Sequence, residues 1–394
     1  MTPYVTIPPT IDYDIRRWQR PALVTGIVFF IASIIGALFY PGDFFRSYLY
    51  SYLFWLGLPL GAMALLMLQY LTGGRWGVVV RRPLEAASRT LPWMAALFIP
   101  IAVGLPYLYH WAHSDLVAKD PVMLHRYVYM NPGGFLARAA IYFAVWLTLT
   151  YFLNKWSWQE DRLGDQTNRL AKISAPGLIL YVFTMTFAAI DWAESLDDHW
   201  FSTMWGFIFV ADQGITIICF AILFSLALSR WEPMNSVLRP QRFHDLGNLL
   251  LVFVMLWAYF QFSQLLIVWS GNLSGEIPWF LPRIGTSWGW LGGALIVFQF
   301  ILPFLMLLFR GITKNAIALS CVAVLLLVMR FVDMFWVVMP SAFRDGFHVH
   351  WLNFTMPVAL GGIWIALFLR TFRRYPLLPL GTPELEEALQ HADR

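Results

Sequence analysis

Ten apolar stretches dominate the sequence, and each is long enough to cross a lipid bilayer. The hydrocarbon core of a bilayer is about 30 Å thick, so a spanning helix needs about 20 mostly apolar residues. Such continuous runs exclude a transmembrane barrel, whose strands alternate apolar and polar residues. We therefore predict an all-α integral membrane protein, a ten-helix transmembrane bundle. The predicted spans are Ala22–Tyr40, Tyr50–Thr72, Pro92–Trp111, Leu136–Leu153, Ile173–Trp192, Met204–Leu228, Asn248–Ser270, Ser287–Phe309, Ala316–Val338 and Trp351–Leu369.

The distribution of basic residues predicts the topology. With the N-terminus in the cytoplasm, most Lys and Arg fall in cytoplasmic loops, as the positive-inside rule requires. The opposite loops hold only Arg46, Lys119, Arg126, Arg283 and Arg344, with Arg138 at a helix mouth. We therefore predict both termini on the cytoplasmic side of the membrane. The net charge of +4 follows from this bias and does not indicate nucleic-acid binding.

The same analysis divides the chain into three parts. Residues 1–21 are predicted to be a cytoplasmic N-terminal segment, 22–371 the ten-helix domain and 372–394 a cytoplasmic tail with a small helix over Glu384–Leu389. Residues 72–90 resemble a glycine turn followed by an interfacial basic helix. Residues 113–134 are expected to form a structured cap on the outer side.

Histidine and cysteine positions argue against a bound metal or haem. A bis-histidine haem needs two imidazoles facing each other inside the bundle. His244 is predicted at the inner edge and His391 in the tail, and the others lie at or beyond the outer edge: His110, His113, His125, His199, His348 and His350. Cys219 and Cys321 match no disulfide or zinc spacing, so we interpret both as small buried hydrophobic residues. We predict no catalytic residue, metal or cofactor in this chain.

Polar groups in the apolar spans are the most informative residues, because charges in a membrane usually face the bundle interior or a cavity. Asp212 lies about 13 Å from the outer end of the sixth span at 1.5 Å per residue. Arg330 and Asp333 are three residues apart on one face of the ninth span and can pair. These three are expected to join other polar groups in one hydrogen-bonded cluster: Gln213, Tyr259, Gln261, Ser263, Gln264 and Gln299. Two interpretations stay open, a structural polar knot and a proton-conducting or quinone-adjacent chamber.

Charged residues also flank the spans. Asp191 and Glu194 end the fifth span, followed by Asp197, Asp198 and His199. This acidic mouth is either a solvated loop, a proton exit or a docking patch. On the cytoplasmic side His244 and Asp245 begin the seventh span. Asp245 is most simply a first-turn acid stabilised by the helix dipole.

Four stretches together resemble a known family. They are Ser47–Pro92, Ala188–Ser202 (AAIDWAESLDDHWFS), His244–Trp269 (HDLGNLLLVFVMLWAYFQFSQLLIVW) and Leu326–Pro340 (LLVMRFVDMFWVVMP). In this order and spacing they resemble the ActF family, membrane proteins of the bacterial alternative complex III, which is a quinol:cytochrome c oxidoreductase. The resemblance implies a membrane protein of the NrfD or polysulfide-reductase-C-like kind, without a redox centre of its own. Glu194 departs from the family pattern, which usually has an apolar residue at that position.

The resemblance also implies partners and a role. The partners would be the membrane proteins ActC and ActD, the iron–sulfur protein ActB and the multihaem cytochromes ActA and ActE, with lipid around them and a terminal oxidase as a further candidate. Quinone (menaquinone or ubiquinone), haem c and iron–sulfur clusters would belong to those partners. This chain would be an accessory component that contributes a proton pathway and borders a quinone environment. The pathway candidates are Asp191, Asp212, Arg330, Asp333, Tyr259, Gln261, Gln264, His244 and Asp245.

Two other classes of function remain open. A purely structural anchor for redox proteins would explain the resemblance without a conducted proton. A secondary solute transporter would need discontinuous helices around a midplane site. The glycine pairs Gly73–Gly74, Gly292–Gly293 and Gly361–Gly362 are weak hints of such breaks, and the long unbroken runs argue against them.

Overall fold

The computed structural model describes residues 9–232 and 234–381, except for the side chains of residues 9, 10 and 75. In these ranges ten helical segments are long and apolar enough to cross a membrane, which confirms the predicted bundle and makes the chain a multi-pass membrane protein. We number them spans 1 to 10: Ile11–Phe39, Pro41–Thr72, Trp76–Val103, Pro132–Leu163, Thr167–Leu196, Trp205–Leu228, Pro240–Gly271, Trp288–Leu308, Ala316–Ser341 and Leu352–Phe372. The predicted tail helix Glu384–Leu389 and His391 lie outside the described residues. The cytoplasmic location of the termini stays a prediction.

Most helices extend beyond the apolar runs that predicted them. The first run begins at Ala22, whereas the helix is Pro9–Phe39. The fourth run covers Leu136–Leu153, and the helix is Pro132–Leu163. At 1.5 Å per residue this helix is about 48 Å long, more than the hydrocarbon core requires, so its ends reach the polar interface. Hydropathy identifies only the membrane-embedded part of a helix. The run Ala316–Val338 coincides with its helix because the α-helix ends at both of these residues.

The third crossing is the main departure from a simple helix. After the turn at Gly73 and Gly74, whose φ angles are +65° and +101°, the helix Arg75–Ser88 forms. This basic helix packs against spans 2, 6, 7 and 10. The chain then continues through three short helices, Leu91–Ala96, Ile99–Val103 and Leu105–Leu108, each with a proline in its first turn. Proline lacks an amide hydrogen and cannot continue a preceding helix, so one straight helix over Pro92–Trp111 does not form.

Spans 2 and 6 form the centre of the bundle. Span 6 packs against spans 2, 5, 7 and 9, and span 2 also contacts spans 1, 5, 9 and 10. Span 1 lies outside this core and packs along span 10. A Cβ atom on Gly26 would lie 2.6 Å from the Ile363 nitrogen, and one on Gly362 would lie 2.5 Å from the Ala22 oxygen. Gly362 therefore permits close packing of two helices, as small residues do in membranes, and does not interrupt span 10.

Span 8 contains a segment of wider helical geometry. Its α-helices Trp288–Leu295 and Leu302–Leu308 flank a π-helix over Ile296–Ile301. Gln299 lies in this segment and is fully buried, although most of span 8 faces outward. Segments of π-helix are rare and are frequently found at functional sites.

The prediction that residues 113–134 are structured is confirmed, and their location on the outer side stays a prediction. The cap contains the short helices Ser114–Val117 and Pro121–Arg126, the second capped by the Asp120 carboxylate at its N-terminus. His199 Nε2 lies 2.7 Å from Asp120 Oδ2, which connects the cap to the loop after span 5.

The prediction that both cysteines are buried is confirmed for one and wrong for the other. Cys219 is buried, whereas Cys321 is exposed because it lies on the outward face of span 9.

Candidate functional site

A buried charged cluster joins spans 6, 8 and 9. Arg330 Nη1 lies 2.6 Å from Asp212 Oδ1 and also contacts Asp333. Gln299 Nε2 donates a hydrogen bond of 3.1 Å to Asp333 Oδ2. All four side chains are at most 2% exposed. We call Asp212, Gln299, Arg330 and Asp333 the Arg330 cluster, and its core is the pairing predicted from the sequence.

Helix geometry explains why these residues meet. Arg330 and Asp333, three positions apart, project from one face of span 9 toward span 6. Asp212 lies seven residues after Trp205, about 11 Å along span 6 at 1.5 Å per residue. The π-helix of span 8 directs Gln299 to the same point. The cluster therefore lies within the membrane-spanning part of the bundle, where charged side chains cost several kcal/mol unless they are compensated.

The charges of the Arg330 cluster do not balance. One guanidinium faces two carboxylates, so the cluster carries a net charge of −1 if both acids are ionised. An uncompensated buried charge is strongly unfavourable. Among the described residues no second cation pairs with either acid. Neutrality therefore requires one bound proton, shared between Asp212 and Asp333.

The Arg330 cluster also has spare hydrogen-bonding capacity. Oδ2 of Asp212, Oδ1 of Asp333 and Oε1 of Gln299 accept no hydrogen bond from the described residues. A cavity about the size of one water molecule adjoins Asp212 and Arg330. It is bordered by Gly57 of span 2, which leaves space beside the acid. The cluster can thus bind and release a proton next to a position that fits water.

A second polar pair adjoins this cavity. The Tyr181 hydroxyl donates to Gln213 Oε1 at 2.5 Å, which links spans 5 and 6. Gln213 also borders the cavity, while the Thr216 hydroxyl donates to the backbone oxygen of Asp212 at 2.7 Å. Hydroxyl and amide groups therefore extend from the Arg330 cluster toward span 5, as a route for protons would require.

Asp191 belongs to a separate and balanced site. Arg138 binds it with two hydrogen bonds, from Nε and Nη2, both of 2.9 Å. The Tyr142 hydroxyl donates a third at 2.8 Å. The Arg138 guanidinium also lies 3.8 Å from the centre of the Tyr129 ring. Asp191 shares no ion pair or hydrogen bond with the Arg330 cluster in the described chain, and its charge is already matched.

The other acids of the mouth are mostly paired. Asp197 lies 3.0 Å from Arg344 Nη2 and 3.6 Å from Arg283 Nη1. Burial lowers the pKa of the Arg283 guanidinium to about 10, and Asp197 opposes this shift. Asp198 lies 2.8 Å from His110 Nδ1. Because Asp191, Glu194 and Asp197 are buried, the interpretation of the mouth as a solvated loop is wrong for these three.

Gln264 lies in an outer network and not in the Arg330 cluster. Its Oε1 accepts a hydrogen bond from the Ser202 hydroxyl, and the Ser202 amide donates to Glu194 Oε2 at 3.2 Å. Glu194 is 5% exposed and forms no ion pair with a described cation. Glu194 therefore connects, through Ser202, the end of span 5 with Gln264 of span 7.

The expectation that Tyr259 and Gln261 join the cluster is wrong. Tyr259 is 62% exposed, Gln261 is half-buried, and neither hydrogen-bonds to another described side chain. The buried face of span 7 runs through Leu250, Val254, Trp257 and Gln264 at helical spacing. Tyr259 is two positions from Trp257 and so points away from that face. Position along the span predicts the depth of a side chain, but the face of the helix decides which groups it meets.

His244 and Asp245 lie at the opposite end of span 7, apart from the Arg330 cluster. His244 Nδ1 shares a hydrogen bond of 2.8 Å with the Thr313 hydroxyl. Asp245 is 3.6 Å from Arg242 Nη1 and accepts a hydrogen bond from Gln241. The helix begins at Pro240, so Asp245 lies in the second turn and the first-turn interpretation is wrong.

Sequence reasoning missed a second buried ionic cluster. Glu85 of the basic helix accepts hydrogen bonds from Arg81, Arg82 and Ser157, and lies 3.6 Å from Arg89 Nη2. Arg81 also contacts Glu160, and Arg82 contacts Asp161, both near the end of span 4. We call these charged residues the Glu85 cluster: Arg81, Arg82, Glu85, Arg89, Glu160 and Asp161. The spacing of Arg81 and Glu85 was a signal for pairing within the helix, but nothing local indicates the partners in span 4.

The two clusters differ in their charge balance. The Glu85 cluster has three arginines and three acids, so it is neutral without a bound proton. The Arg330 cluster has one arginine and two acids. Of the two, only the Arg330 cluster therefore requires a bound proton for neutrality. This contrast separates an ionic anchor from a candidate site of proton chemistry.

No protein-family model matches the sequence, and a search of curated proteins gives no significant match. The described residues contain no group of three or more His, Cys, Asp or Glu side chains that could hold a metal ion. The fold and the Arg330 cluster together define a multi-pass helical membrane protein with an unbalanced ionic site in its core.

Proposed function

We propose that the chain is an ActF-type membrane component of a quinol:cytochrome c oxidoreductase in a bacterial inner membrane, and that it supplies a proton-binding site. The unbalanced charge of the Arg330 cluster is the observation that carries the proposal. A ten-span bundle and the four sequence stretches that resemble the ActF family support it. Quinone, haem c and iron–sulfur clusters belong in this proposal to the partner proteins ActA, ActB, ActC and ActE, with ActD as a further membrane partner.

The proposed chemistry is proton binding and release at carboxylate oxygens. Oxidation of a quinol in a partner protein releases two electrons and two protons, and the electrons leave through the partners' centres. Arg330 stabilises whichever acid is ionised, while the proton resides on the other, Asp212 or Asp333. Transfer between them leaves the total charge of the cluster unchanged. The Tyr181–Gln213 pair and the adjoining cavity provide hydrogen-bonding groups for exchange with span 5.

Charge counting gives a sharp test on the purified full chain. Asp212→Asn or Asp333→Asn leaves one guanidinium and one carboxylate, a neutral pair without a proton. Glu194 is also buried without an ion pair to a described cation, so the test is run in a Glu194→Gln background. There each variant is expected to lose the infrared carbonyl band of a protonated carboxylic acid that the parent chain shows near neutral pH. Asp191→Asn is the matched control, since Asp191 is already paired with Arg138 and its replacement should leave the band unchanged. A band that persists in both variants contradicts the shared proton.

A second experiment tests the role in a complex. Native purification should recover partner proteins with haem absorption, and in that complex Asp333→Asn should reduce proton translocation while the partners stay assembled. Unchanged turnover and translocation would refute the proton pathway. Loss of assembly in both aspartate variants would favour the structural anchor instead. A chain that purifies alone as a homo-oligomer would contradict the respiratory assignment.

A further inference from the structure

A cleft opens on the side of the bundle between the third crossing and span 4. Its volume is about 380 Å³, within the range of small-molecule sites. Arg89 follows the basic helix, and Asn154 and Lys155 lie just beyond the apolar run of span 4, so the polar end of the cleft lies at the membrane interface. Leu147, two turns deeper in span 4, lines the apolar end. We call this site the Arg89 cleft.

Three polar groups in the Arg89 cleft have unused capacity. The Arg89 side chain makes no hydrogen bond with the described residues; its nearest acid is Glu85 at 3.6 Å, and its guanidinium lies 3.5 Å from the Tyr375 ring centre. Lys155 is exposed, and among described groups its Nζ has only the Tyr151 hydroxyl, at 3.4 Å. Asn154 is 8% exposed and donates from Nδ2 to Ser88 and Thr150, but its Oδ1 has no partner.

These groups define the chemistry of the occupant. Lys155 has no described acid beside it, and the Arg89 guanidinium, whose charge is balanced within the Glu85 cluster, has unused N–H donors. Together they favour a phosphate, since basic pockets between transmembrane helices bind anionic lipid headgroups. The free acceptor on Asn154 calls for a hydrogen-bond donor such as a headgroup hydroxyl. A headgroup ammonium could also donate there, but Arg89 and Lys155 would repel it. The apolar wall at Leu147 fits an acyl chain and not a free phosphate ion.

We propose that the Arg89 cleft binds one anionic glycerophospholipid with a hydroxyl-bearing headgroup, such as phosphatidylglycerol. The phosphate lies between Arg89 and Lys155, the headgroup hydroxyl donates to Asn154 Oδ1, and one acyl chain lies along Leu147. This site is independent of the Arg330 cluster. It would bind lipid whether or not the chain conducts protons.

Native mass spectrometry of the full chain in detergent tests the proposal. Phosphatidylglycerol should be retained in preference to phosphatidylethanolamine with the same acyl chains. Lys155→Gln should weaken its binding about fivefold, because one cation at an anionic membrane surface contributes about 1 kcal/mol. Lys172→Gln is the matched control, a lysine of span 5 that does not line the cleft, and should leave binding unchanged.

Several results would overturn the proposal. These are equal retention of the two lipids, an equal loss in Lys155→Gln and Lys172→Gln, and binding of glycerol phosphate without acyl chains as tight as that of the lipid. Displacement of phosphatidylglycerol by a quinone at equal concentration would assign the cleft to another ligand. Lys155 is exposed and forms no ion pair with a described acid, so its replacement leaves the packed core intact and folding does not confuse the result.

Discussion

Replacement of Glu85 by glutamine is expected to destabilise the chain far more than replacement of Asp333 by asparagine, although both acids are buried. Glu85→Gln leaves three arginines facing two acids, so one buried guanidinium loses its counter-charge. Removing one partner of a buried ion pair costs about 3–5 kcal/mol. Asp333→Asn instead leaves Arg330 paired with Asp212, and its cost should stay within about 1 kcal/mol, the range of one hydrogen bond.

The assay is unfolding of the full chain in detergent micelles at neutral pH. A loss of about 3 kcal/mol lowers the ratio of folded to unfolded chains by more than about a hundredfold, since about 1.4 kcal/mol corresponds to a factor of ten. Glu232→Gln is the control at an exposed acid and should change stability by less than about 0.5 kcal/mol. Equal destabilisation by Glu85→Gln and Asp333→Asn would refute the charge count on which both clusters were interpreted.

Two further predictions concern the periphery. The hydrogen bond to Asp198 raises the pKa of His110, against burial and the charges of Arg344 and Arg46. The pair therefore stabilises the contact between the segment after the third crossing and the loop after span 5 below about pH 6.5, the unfolded value. This stabilisation disappears as pH rises through the folded pKa. Thermal unfolding of His110→Asn should differ from that of the unmodified chain at about pH 5.5 and coincide with it at high pH. Gly362→Leu should detach span 1 from span 10 because its Cβ would overlap the partner backbone, whereas a leucine at Gly293 meets open space; protease accessibility of the first span distinguishes them.

The number of spans was predictable because membrane burial leaves a direct mark on composition. A run of about 20 apolar residues has few alternatives to a spanning helix, so the crossings other than the third were located correctly. The broken third crossing was not anticipated, although Pro92, Pro100 and Pro106 were visible in the run. Each proline interrupts the helical hydrogen bonds locally. The direction of the chain after each interruption depends on packing against the neighbouring helices.

The core of the site was predictable for a different reason. Arg330 and Asp333 are three residues apart in a helix, so their proximity is a local property. The contact of Asp212 with the Arg330 guanidinium depends on how spans 6 and 9 pack. The similar predicted depths of the two residues did not by themselves determine it. Tyr259 shows the limit of this reasoning, since its position along span 7 gave no indication that it lies on the exposed face. The Glu85 cluster escaped notice because its partners in span 4 are distant from the basic helix in the chain.

The wide turn of span 8 has a mechanical consequence. A helix with a π segment accommodates one more residue in a turn than an α-helix does, so converting Ile296–Ile301 to α geometry would rotate the following residues by about 100° relative to those before it. Gln299 could not then keep its amide on Asp333 while both flanks of span 8 stay in place. The Gln299 hydrogen bond to Asp333 thus depends on the π geometry of span 8. A movement of span 8 alone would therefore alter whether Asp212 or Asp333 is better able to release its proton.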